Sequence, residues 1–110
     1  MYTPLREKYI TELKNMSVEF VEMTPFWGGE GFLYRVAFAN GYGISIVKHD
    51  GSYGESDNLW EIAVLKGEED ETVQEYDLCY DTPVADDVVG WLKATEVMDY
   101  ARQIAKLKGE

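Results

Sequence analysis

Asn40-Gly41 lies between two segments, 32–39 and 43–49, rich in Val, Ile, Phe and Tyr. This dipeptide constrains the fold more than any other feature of the chain. Both residues tolerate positive φ, so the two segments are predicted to pair as a tight antiparallel hairpin. Two further segments of the same character, 17–23 and 59–66, extend the hairpin into a meander. Lys66-Gly67 closes the fourth strand. Residues 75–81 then alternate with period two, which predicts a fifth strand with Tyr76, Leu78 and Tyr80 on the core face and Glu75, Asp77, Cys79 and Asp81 on the other.

Helical signals flank these strands. Thr3-Pro4 reads as an N-cap followed by proline at the first helical position, and Leu5, Tyr9, Leu13 and Met16 recur at helical spacing, which predicts a helix over 4–15. Thr82-Pro83 repeats the signal, with Asp86 and Asp87 in the first turn, and predicts a short helix to about Gly90. Val97, Tyr100, Ala101, Ile104 and Ala105 form one stripe that ends near Lys106, Lys108 and Gly109, as expected of a C-terminal amphipathic helix. The expected architecture is one α+β domain over 1–110: an N-terminal helix, a five-stranded, mostly antiparallel meander and two C-terminal helices. At 110 residues, 45% of them hydrophobic and 14% aromatic, the chain has enough apolar material for one core.

Charge is distributed unevenly along this scaffold. Residues 49–92 hold thirteen of the twenty-one acidic residues and one of the ten bases, Lys66, so a net charge of −11 resolves into −12 there and +1 elsewhere. Such asymmetry focuses a field and points to an electrostatic partner surface. An acidic chain is a poor ligand for nucleic-acid phosphates or anionic lipid, so neither direct nucleic-acid binding nor membrane binding is expected. No apolar run approaches the roughly 18 residues needed to cross a bilayer. The N-terminus lacks the apolar segment of a secretion signal, and the lone Cys79 cannot form an internal disulfide, so the cytoplasm is the expected compartment.

Catalytic signatures are weak. His49 beside Asp50 has the residue types of an oriented general base, but no serine, cysteine or second histidine stands at a nucleophilic spacing. Cys79 alternates with acids, which raise a thiol pKa and suppress the reactive thiolate. The loop 50–58 is rich in oxygen ligands suited to Ca²⁺, yet Ser52 and Gly54 occupy positions where an EF-hand needs acidic or amide side chains. Gly41-Tyr42-Gly43 precedes a strand and is not followed by the Lys of a phosphate loop. No enzyme activity and no cofactor are expected; a metal-binding or His49-dependent enzyme is the alternative from that class.

The remaining reading is a binding surface formed by Glu55, Asp57, Glu68, Glu69, Asp70, Glu71, Glu75, Asp77, Asp81, Asp86 and Asp87, with Trp27 and Tyr53 in Gly-flanked loops as aromatic anchors. Such a surface could stand in for nucleic-acid phosphates. A magnitude limits this idea: carboxylates two apart on a strand are about 6.6 Å apart, whereas duplex DNA shows one charge per roughly 1.7 Å of axis. A single strand is too sparse, so the acids of several elements have to converge.

The segments Asn40-Gly41-Tyr42-Gly43-Ile44-Ser45-Ile46-Val47-Lys48-His49, Ser52-Tyr53-Gly54, Leu59-Trp60-Glu61-Ile62-Ala63-Val64-Leu65, and Tyr80-Asp81-Thr82-Pro83 with Asp86-Asp87-Val88 and Gly90-Trp91-Leu92 resemble a family of small proteins encoded by bacteriophages and prophages. The likeness covers about half of the chain, and the run at 68–71 looks like an insertion peculiar to it. The resemblance implies no catalytic residues. It implies a role like that of anti-CRISPR or anti-restriction inhibitors, which occupy the basic surface of a nucleic-acid-handling host protein, with a homo-oligomeric phage assembly component as the alternative.

Overall fold

The computed structural model describes residues 3–23, 31–49 and 59–108. In chain order the elements are α1 (Glu7–Met16), β1 (Glu19–Met23), β2 (Gly31–Ala37), β3 (Tyr42–His49), β4 (Trp60–Lys66), a 3₁₀ turn (Val73–Glu75), β5 (Asp77–Leu78), β6 (Val89–Leu92) and α2 (Ala94–Ala105). Every strand pairing is antiparallel. The sheet runs β1-β2-β3-β4-β5, and β6 also pairs with β4.

The Asn40-Gly41 hairpin forms as its residues require, with Gly41 at φ +87°. Asn40 does more than turn the chain. Its carbonyl oxygen accepts the Tyr42 N–H (3.0 Å), and its amide donates to the Ile104 and Leu107 carbonyls at 2.9 and 2.8 Å, closing the C-terminal end of α2. One face of the sheet, carrying Tyr34, Val36, Ile44, Ile46, Ile62 and Val64, packs beneath the two helices, to which α1 contributes Leu13 and α2 contributes Val97, Met98, Ala101 and Ile104. Arg102 grips Glu12 with two hydrogen bonds of 2.7 and 2.9 Å, tying α2 to α1. A smaller cluster of Ala37, Leu65, Val73 and Tyr76 is buried apart from this core.

Three expectations require correction. The first helix begins at Glu7 instead of residue 4, because the Lys48 ammonium holds the Thr3 carbonyl at 3.0 Å and Leu5 is buried in the core, leaving 3–6 as an extended lead-in.

The α+β class stands, but the described residues form one C-terminal helix and six strands, not two C-terminal helices and five strands. The Thr82 hydroxyl bonds the Ala85 backbone in both directions, N–H and carbonyl, and its capping capacity ends in a single turn. Beyond it, Val89–Leu92 pairs with β4 at Trp60 and Ile62. β5 reaches only Leu65 and Lys66, the Val64 carbonyl accepts the Cys79 N–H at 2.8 Å, and β6 pairs with the same β4 edge at Trp60 and Ile62.

The third correction concerns 75–81. Tyr76 is buried, but Leu78 and Tyr80 are 48% and 46% exposed, while Cys79 enters the main core. Only Asp77–Leu78 pair as a strand where one was expected over 75–81, and the buried side chains, Tyr76 and Cys79, stand three residues apart. The main core lies on the side opposite to the one expected, and Tyr76 is buried by the smaller cluster.

Candidate functional site: the acidic edge of the sheet

The acidic segment is fastened to the sheet by two charged side chains of the neighbouring strands. Arg35, in β2, donates to the carbonyls of Val73 (3.0 Å), Gln74 (3.1 Å) and Tyr76 (3.1 Å). Glu19, in β1, accepts the Val73 N–H at 2.8 Å. The 3₁₀ turn is thus held at its start by a carboxylate and at its end by a guanidinium, the polarity its unpaired backbone groups demand. Burial lowers the Arg35 pKa, opposed by the nearby Asp77 carboxylate, and the group remains a cation. Tyr76 lies flat on Gly67, where any Cβ would overlap the ring.

Within the segment several acids serve the backbone. Glu71 accepts the Glu68 N–H at 2.8 Å while its own N–H returns to the Glu68 carbonyl at 3.0 Å, which closes the turn. Glu75 accepts the Thr72 N–H and hydroxyl at 2.9 and 3.2 Å. Asp87 accepts the Val88 N–H at 2.7 Å. Cys79 donates its thiol to Asp81 at 2.9 Å; burial first, then this bond, raises the thiol pKa, and the same bond lowers that of Asp81. The thiol is therefore not a nucleophile at neutral pH.

The outcome is an open groove of about 710 Å³ along β5, lined by Glu68, Glu71, Asp77 and Asp81, by the exposed side chains of Leu78 and Tyr80, and by Lys66 as its one cation among the described residues. Four of the expected residues converge here. Glu69, Asp70, Glu75, Asp86 and Asp87 are exposed but do not line the groove. Trp27, Tyr53, Glu55 and Asp57 lie outside the described residues, as do the 50–58 loop and the side chain of His49. Among the described residues no group of three or more His, Cys, Asp or Glu could hold a metal ion, and no helix is long and apolar enough to cross a membrane.

Sequence reasoning missed the apolar part of this edge. The alternation of 75–81 predicts Leu78 and Tyr80 in the core, and nothing in the sequence marks Trp91 as exposed, yet it is 58% exposed at φ +62°. Gly90 immediately before it was the one signal of irregular backbone there. Comparison with protein-family profiles, curated proteins and solved structures finds no match to this chain.

Proposed function

We propose that this chain binds a basic, nucleic-acid-handling host protein through its acidic edge and acts by occlusion, without chemistry, in the manner of a phage-encoded anti-defence inhibitor. One observation carries the reading. Glu68, Glu71, Asp77 and Asp81, drawn from a turn, a strand and the loop after it, line one groove in which Lys66 is the only cation among the described residues. Leu78 and Tyr80 add desolvatable surface to that groove, and buried anchors of this kind supply more binding energy than rim charges. The proposed phage setting rests on the resemblance of segments 40–49, 52–54, 59–65, 80–83, 86–88 and 90–92 alone.

Glu68, Glu69 and Asp77 are the side chains to reverse, since they are exposed and make none of the backbone bonds that close the turn. The triple variant Glu68→Lys, Glu69→Lys and Asp77→Lys is expected to stay folded, with the melting temperature lowered by the new ammonium near Arg35, and to lose capture of nucleic-acid-binding proteins from host extract. Wild-type capture should weaken as salt shortens the Debye length below roughly 8 Å. Capture that survives the triple reversal refutes the assignment, and a salt-insensitive homo-oligomer on a sizing column favours the assembly alternative.

A further inference from the structure

Strand β6 carries an extra residue relative to β4: Trp60 pairs with Leu92 and Ile62 with Val89, so two steps on one strand face three on the other. Such bulges re-aim side chains. Here the irregularity places Trp91 in the left-handed backbone region, which bulky residues rarely occupy and glycine takes freely, although the glycine of this pair sits one position earlier, at Gly90. The indole is turned outward, 58% exposed, while Leu92 beside it is 5% exposed.

Trp91 shares one margin of the sheet with Leu78 and Tyr80. β5 and β6 both pair with β4, opposite Leu65 and Trp60 at their far ends, which are about 17 Å apart along the strand. In the sequence between β5 and β6, Asp81, Asp86 and Asp87 are exposed. An exposed indole that follows exposed carboxylates along the chain fits a ligand group that is cationic and also flat. Guanidinium has both properties: it stacks on an indole face and sheds water more readily than the compact, strongly hydrated lysine ammonium.

We infer that Trp91 is a stacking platform for an arginine side chain of the basic partner, so that this margin prefers arginine-bearing to lysine-bearing segments of equal charge. The inference rests on the acidic-edge reading above and adds to it the identity of the cation.

Octa-arginine and octa-lysine are the probes, titrated separately at low salt into the full chain, with binding read from the Trp91 indole N–H resonance and from backbone amides of 77–92. Octa-arginine is expected to bind about five- to tenfold more tightly. Trp91→Ala should bring octa-arginine down to the octa-lysine affinity and leave octa-lysine unchanged. Trp91→Asn, which tolerates the left-handed backbone, should behave identically and guards against a folding artefact. Equal affinities for the two peptides in the wild type, or an equal loss for both in the variants, overturn the role of Trp91 while leaving the acidic edge standing. Failure of both peptides to bind overturns the inference and the acidic-edge reading together.

Discussion

The Lys48 ammonium lies 4.1 Å from the centroid of the Trp60 ring, and its amine donates to the Thr3 carbonyl at 3.0 Å. Only 3% of Lys48 is exposed, and burial lowers its pKa to about 8. The contact with the indole face and the single carbonyl repay part of the cost of burying a cation.

This pair sets a pH dependence of stability. The folded-state pKa lies below the ordinary value of 10.5, so folding disfavours the charged amine. Below about pH 8 the group is protonated in both states and the cost is fully present. Between about pH 8 and 10.5 the folded chain releases its proton while the unfolded chain keeps it, and stability contributed by Lys48 rises by up to about 3 kcal/mol. Urea unfolding of wild type and Lys48→Met across this range should show the wild type gaining relative to the variant as pH rises; a constant difference rejects the assignment.

Arg35 is expected to be the hinge on which the acidic groove depends. Arg35→Met leaves the Val73 and Tyr76 carbonyls without their charged donor and should cost about 2–3 kcal/mol. Arg35→Lys keeps the charge but not the planar fork, and should recover only part of the loss. Amide exchange would locate the effect, with protection falling over 73–78 and unchanged in α2. Uniform loss of protection would assign Arg35 to global stability alone.

Gly67 and Tyr76 should prove energetically coupled. Gly67→Ala drives a methyl into the Tyr76 ring and is expected to cost about 1–3 kcal/mol. In the Tyr76→Ala background the same substitution meets no ring, so a double-mutant cycle should return a coupling of about 1 kcal/mol or more. Additive effects would show that the close approach is not what requires glycine here.

Much of the framework was legible in the residues. Asn40-Gly41 specified its hairpin because turn chemistry is local, and Val97, Ala101 and Ile104 specified the buried stripe of α2 because helical periodicity is local too. The segment from Thr72 to Leu92 was read poorly for the opposite reason. Alternation at 75–81 defines two faces but not which of them meets the main core, and a slip of that choice exchanges Leu78 and Tyr80 for Cys79. Thr82-Pro83 offered a helix cap, which the chain spends on one turn because β4 leaves pairing groups that only a distant segment could fill.

Residue type and spacing along the chain suffice for the α+β class, the hairpin at the centre of the sheet and the confinement of nearly all net negative charge to 49–92. That Glu68, Glu71, Asp77 and Asp81 share a groove and that Trp91 is exposed follows from the packing of segments distant in the chain. Those outcomes depend on Arg35 and Glu19 fastening a segment about forty to fifty residues away, and on the unmet hydrogen bonds of β4, and neither constraint is written in the local pattern of the residues it positions.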